Sequence, residues 1–86
     1  MTNTSDINFK VQLDENQVPE KIEWSAQGSE KPELSESKSI MLALWDEKEN
    51  NTLRIDLWTK NMMVDEMKKF TCQNIITMAD TFERST

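Results

Sequence analysis

Apolar residues recur at every second position near the start of the chain. Ile7, Phe9, Val11 and Leu13 alternate with Asn8, Lys10 and Gln12. A period of two puts one set of side chains on each face, which predicts a half-buried strand. The polar run Asp14 to Gln17 reads as a turn. Val18, Ile22, Trp24 and Ala26 then share one parity against Pro19, Lys21, Glu23 and Ser25. A second strand is expected there, with Pro19 near its start, where a missing donor costs least. Residues 27–37 carry Gly28, Pro32 and several charges, which predicts a solvated, mobile loop. Residues 1–6 are polar and expected to fray.

The second half of the chain holds the strongest pattern. Six consecutive apolar residues, Ile40 to Trp45, fit either a buried strand or a short helix. Pairing favours the strand. With Asp46 to Asn51 as the connecting loop, Leu44 faces Leu53, Leu42 faces Ile55 and Ile40 faces Leu57, so every inward pair is aliphatic. From about Met63 to Glu83 the period becomes helical. Met63, Met67, Phe70, Ile75, Met78 and Phe82 form one stripe, opposed by Asp65, Lys69, Gln73, Asp80 and Glu83. The expected fold is α+β and two-layered: a four-stranded, mostly antiparallel meander sheet with one C-terminal amphipathic helix packed on it. Residues 1–86 are read as a single domain.

The same register sends Met41, Ala43, Trp45 and Trp58 to the other face, beside Arg54 and Asp56. Two tryptophans on a wet face have two readings. Either the 27–37 loop or the N-terminal tail covers them or leaves them half exposed, as is ordinary for scattered apolar residues. Or they form a docking surface for a partner or a second copy, where tryptophan is enriched.

Ten Lys and Arg against sixteen Asp and Glu give a net charge of −6. The basic residues are scattered, so nucleic acid is a poor partner. No stretch joins a basic face to an apolar one, and the longest apolar run is too short to cross a bilayer, so no membrane insertion is expected. One cysteine, Cys72, allows no internal disulfide and points to a reducing compartment, hence a cytoplasmic location. A thin core in 86 residues gives only about 5 kcal/mol of stability. Dimerisation through a sheet edge or through the Trp45/Trp58 face would add to it.

Candidate chemistry is sparse. Histidine is absent, which removes His-based acid–base catalysis, Cys–His nucleophiles and His-containing metal sites. Cys72 reads as a small, semi-buried thiol. Asp56 beside Arg54 reads as an outer-face ion pair rather than a catalytic carboxylate. The loop DEKENN (Asp46 to Asn51) lacks the glycine and distal glutamate of a calcium loop and reads as a solvated hairpin tip. No catalytic residue, metal or cofactor is expected. Met41 and Met62 are the methionines to consider as contacts, since flexible thioethers suit adaptable surfaces.

Three segments carry a resemblance: LDENQVPEKIEWSA (Leu13 to Ala26), LWDEKENNTLRIDLWTKNMMVDEMKKF (Leu44 to Phe70) and TMADTFERST (Thr77 to Thr86). They closely resemble the GldC family, small gliding-motility proteins of Bacteroidetes-type gliding bacteria. The resemblance implies a soluble, cytoplasmic, non-enzymatic accessory of the gliding machinery, associated with the pathway of the lipoprotein GldB. It offers Trp45, Arg54, Asp56, Trp58 and Asp65 as candidate contacts. A threonine commonly precedes VDEM in that family; here Met63 stands in its place, and Asn61 is the candidate substitute cap. An alternative function for an acidic chain with an exposed apolar patch is a small chaperone or adaptor for exported client proteins.

Overall fold

The computed structural model describes residues 3–28 and 33–86. Among these, the elements in chain order are β1 (Ile7–Leu13), β2 (Pro19–Ala26), β3 (Ser35–Ser37), β4 (Ser39–Asp46), β5 (Asn51–Trp58) and α1 (Val64–Ser85). The strands make two antiparallel sheets, one ordered β1-β2-β3 and one of β4 and β5 alone. The class is α+β with a C-terminal helix, but the single four-stranded meander is corrected to a three-stranded sheet plus a two-stranded hairpin. The cause is β3. Ser35, Glu36 and Ser37 pair with Trp24, Glu23 and Ile22, so the edge of β2 that β4 was expected to take is already filled. Only Lys38 separates β3 from β4, and the chain changes sheets there. Residues 29–32 of the expected loop lie outside the described residues.

Both tight turns are built alike, each from an aspartate that gathers main-chain donors. After β1, the Asp14 carboxylate accepts the N–H groups of Asn16 (2.8 Å) and Val18 (2.9 Å). After β4, the Asp46 carboxylate accepts the N–H of Glu49 at 3.0 Å. Each turn ends on a left-handed residue, Gln17 (φ 64°) or Asn50 (φ 51°). An aspartate side chain that mimics a backbone acceptor is the usual device for such a reversal. The N-terminal approach is tied down as well: Ser5 Oγ donates to Gln27 O at 3.0 Å, and Gln27 N–H donates to Asp6 O at 3.0 Å.

The β4–β5 hairpin has the pairing expected from its aliphatic residues. Ile40 opposes Leu57, Leu42 opposes Ile55, and Leu44 opposes Leu53. Ser39–Asp46 is therefore a strand and not a helix. Thr59 closes the hairpin base; it is buried, and its N–H donates to Lys38 O at 2.9 Å.

α1 starts at an N-cap, Met63, whose side chain makes no capping hydrogen bond. The other half of a capping box is present, with Glu66 Oε1 accepting the Met63 N–H at 2.9 Å. Lys38 Nζ reaches both carboxylate oxygens of Glu66, at 3.1 and 3.0 Å, and so fastens the first turn to the β3–β4 junction. Asn61 does not cap the helix; its side-chain oxygen is taken by the Thr59 hydroxyl.

Packing does not follow from this local order. Ile22 is the one fully buried hydrophobic residue among those described. Met67, Phe70, Thr71 and Asn74 are half-buried, but every helical residue from Ile75 onward is exposed. The helix was expected to lie along the sheet over its whole stripe. Among the described residues, all of its half-buried positions lie in its first half, and Ile75, Met78 and Phe82 are well exposed. Nor is the turn-side half of the hairpin's aliphatic row covered: Leu44, Leu53 and Ile55 keep 52%, 51% and 49% of their surface, whereas Ile40, Leu42 and Leu57 are half-buried. The polar contact of α1 with β4 is on the opposite face, from Asn74 Nδ2 to Met41 Sδ at 3.3 Å. Where sheet, hairpin and helix converge, Phe9, Trp24, Ile40, Leu42 and Phe70 line an open recess of about 240 Å³. Closed cores leave few voids larger than a water molecule.

Candidate functional site

The five residues singled out as contacts, Met41, Trp45, Arg54, Asp56 and Trp58, fall on one face of the hairpin by the observed register. Met41 sits opposite Asp56, Ala43 opposite Arg54, Trp45 opposite Thr52, and Ser39 opposite Trp58. They do not form one patch. Trp45 stands beside the Asp46 turn and Trp58 at the helix end, so roughly 20 Å of strand separates them. Trp45 is 67% exposed and Trp58 57%. Neither is covered by the N-terminal approach or by the described part of the 27–37 segment.

Trp58 is the better placed of the two. With Met62, Met63, Val64 and Met67 it lines an open, apolar recess of about 350 Å³ at the start of α1. A second groove of about 390 Å³ shares Val64 and Met67 and continues along Lys68, Thr71 and Cys72. Cys72 is exposed, which corrects its expected semi-buried position: it lies in the first half of the helix but off the face that carries half-buried Met67, Phe70, Thr71 and Asn74. Periodicity placed Met63 and Met67 in the core stripe and missed that they border an open groove. The available signal was the run Met62-Met63-Val64, three adjacent apolar residues just where the helical period begins, too closely spaced to share one side of the chain.

Arg54 Nη2 and Asp56 Oδ1 are 3.1 Å apart along β5, both partly exposed, as an ordinary outer-face ion pair. Met41 differs from the other four in being half-buried, with its sulfur engaged by Asn74. Asp65, in the first turn of α1, is exposed and suits the positive end of the helix dipole.

Charge elsewhere is spent on holding elements together. Asp14 is held below its ordinary value of 3.8, first by its hydrogen bond from Lys60 and then by the Val18 N–H. Lys60 is raised above 10.5 by the same contact. Glu66 lies below 4.5 through the Met63 N–H and then Lys38. All three shifts arise from contacts that favour the charged form. A polar cleft of about 250 Å³ lies among Glu20, Lys21, Glu36, Ser37, Lys38, Thr59 and Asn61. The Ser37 hydroxyl is enclosed without a hydrogen-bond partner. Among the described residues, no group of three His, Cys, Asp or Glu side chains is placed to hold a metal ion, and no helix is long and apolar enough to cross a membrane.

The arrangement thus offers apolar surface at the hairpin and along the first half of α1, with carboxylates that fasten turns and helix. Comparison with known proteins adds one positive result. No curated protein and no solved structure matches the chain. Residues 19–86 match the model of a family described as gliding motility-associated protein GldC-like, a span that takes in β2 to the end of α1. The chain belongs to this GldC-like family, whose association is with gliding motility.

Proposed function

We propose that this protein is a non-catalytic, cytoplasmic accessory of the gliding machinery that acts by binding another protein, with Trp58 at the centre of the contact. The observation that carries this reading is a tryptophan more than half exposed beside Met62, Met63, Val64 and Met67. Tryptophan and methionine are the residues that interfaces enrich, and a rigid indole next to pliable thioethers can adapt to a partner's apolar side chain. The Arg54/Asp56 pair lies on the same face of β5, and Trp45 stands on that face at the far end of the hairpin. Membership of a gliding-associated family supports a partner within that machinery, and the earlier resemblance favours the GldB pathway. The exposed thiol of Cys72, the lone cysteine, supports a reducing cytoplasm.

Trp58→Ser in the intact chain, in a gliding cell, tests the reading. Loss of gliding, together with loss of the crosslink that a photoreactive residue at Met62 forms with a machinery component, is the expected result. A folded variant that glides and crosslinks like the parent would overturn it. A holdase or adaptor for exported clients is favoured by the exposed apolar helix end, Ile75 to Phe82, on an acidic chain. Light scattering decides: that reading requires suppressed aggregation of an unfolded client at a few-fold molar excess of this protein.

A further inference from the structure

The hairpin has an open edge with a code written on it. Among the described residues β5 pairs with β4 alone. The Thr59 N–H bonds Lys38 O one step beyond the Ser39–Trp58 pair, and this fixes the alternation along the strand. Residues 53, 55 and 57 direct their amides and carbonyls at β4, and Thr52, Arg54, Asp56 and Trp58 direct theirs outward. An isolated pair of strands is marginal and is stabilised by further strands or by packing against a helix.

The chain also exposes more surface than a compact monomer of its mass. Its accessible area is 7635 Å², whereas a folded monomer of 10.1 kDa exposes about 5,300 Å². The excess is of the size that each chain loses in an obligate homodimer, roughly 1,000–2,500 Å². Its radius of gyration, 15.1 Å, likewise exceeds the roughly 12 Å of a compact chain of this length.

We infer that β5 pairs antiparallel with β5 of a second copy, across a two-fold axis that passes through Ile55. A closed dimer requires a self-complementary strand, with residue i meeting j and j meeting i. Only this register supplies one. Ile55 meets Ile55, Leu53 meets Leu57, and Arg54 meets Asp56 on both sides of the axis. Moving the axis to Arg54 or Asp56 sets like charges against each other, and axes at Leu53 or Leu57 leave both charges unmatched. The other long edges lack such a code. β1 carries a single charge, Lys10, with no acidic residue in its span, and β4 runs beside Phe70 and Asn74 of α1. The paired hairpins form a four-stranded sheet with the aliphatic rows of both copies side by side, and with Trp45 and Trp58 of each copy on the other face. The inference does not rest on the motility reading: it draws on the main-chain edge of β5, whereas that reading draws on the recess that Trp58 shares with the start of α1.

The test uses the full chain with Cys72→Ser, to remove the natural thiol. In a non-hydrogen-bonded antiparallel pair the Cα atoms are about 4.5 Å apart, within disulfide range. An Ile55→Cys variant therefore forms a covalent dimer on mild oxidation, whereas Leu53→Cys, whose copies lie roughly 13 Å apart, does not. Arg54→Asp and Asp56→Arg each weaken the dimer about tenfold in sedimentation equilibrium, and combining them restores it. A folded monomer, or a dimer crosslinked as readily at position 53 as at 55, overturns the inference. Failure of the Trp58→Ser test with the dimer intact would instead remove only the motility reading.

Discussion

At the residue scale, Gln17 and Asn50 stand where the backbone is left-handed (φ 64° and 51°). Asparagine tolerates that region; glutamine gains nothing there, and a side chain with Cβ costs about 1 kcal/mol or more. Gln17→Gly should raise stability by up to about 1 kcal/mol in urea unfolding, and Asn50→Gly by less. A loss at Gln17 would show that its side chain has a role beyond the turn. Asp14 and Glu66, both held below their ordinary values, give a second expectation. A lowered folded-state value means that the stabilisation is complete above the ordinary one and is lost as pH falls through the lowered one. Melting temperature should therefore drop below about pH 4, and Asp14→Asn should flatten that drop. Lys60 works in the opposite sense: its contribution is complete below 10.5 and is lost only as the pH rises past its raised value. An unchanged acid profile in Asp14→Asn would contradict the role of the Lys60 contact.

At the element scale, the helix start holds half a capping box: the Glu66 carboxylate reaches back to the Met63 N–H, but Met63 returns no hydrogen bond. Met63→Thr completes the box and should add about 1 kcal/mol to unfolding stability. No gain would mean that the lost apolar contact at the Trp58 recess outweighs the cap. What was legible in the sequence divides along the same lines. The β4–β5 register could be read because a slip of one residue would turn Leu44, Leu53 and Ile55 to the other face. β3 could not, because Ser35-Glu36-Ser37 has no apolar alternation and is a strand only through the edge of β2. The period of α1 predicted a helix but not how far the sheet supports it. A stripe records which side chains want cover, and Ile75, Met78 and Phe82 ask for it as clearly as Met67 and Phe70 do. Of the candidate contact residues, Arg54, Asp56 and Trp58 could be put on one side because strands alternate, whereas the groove beside Trp58 depends on where the chain turns into the helix.

At the scale of the whole molecule, a chain with one fully buried hydrophobic residue among those described does not close its own core. Domains hold together by burying apolar surface, and obligate dimers often have no stable folded monomer at all. Unfolding of this protein should therefore depend on its concentration, with a midpoint that rises as the chain is concentrated. The most direct measurement is amide hydrogen exchange at Arg54 and Asp56, whose N–H groups face away from β4. Pairing with a second copy predicts that these two amides are protected as strongly as their neighbours Leu53 and Ile55, and that the protection falls on dilution. Exchange at the free-peptide rate at every concentration, with Leu53 and Ile55 still protected, would mean that the edge stands open.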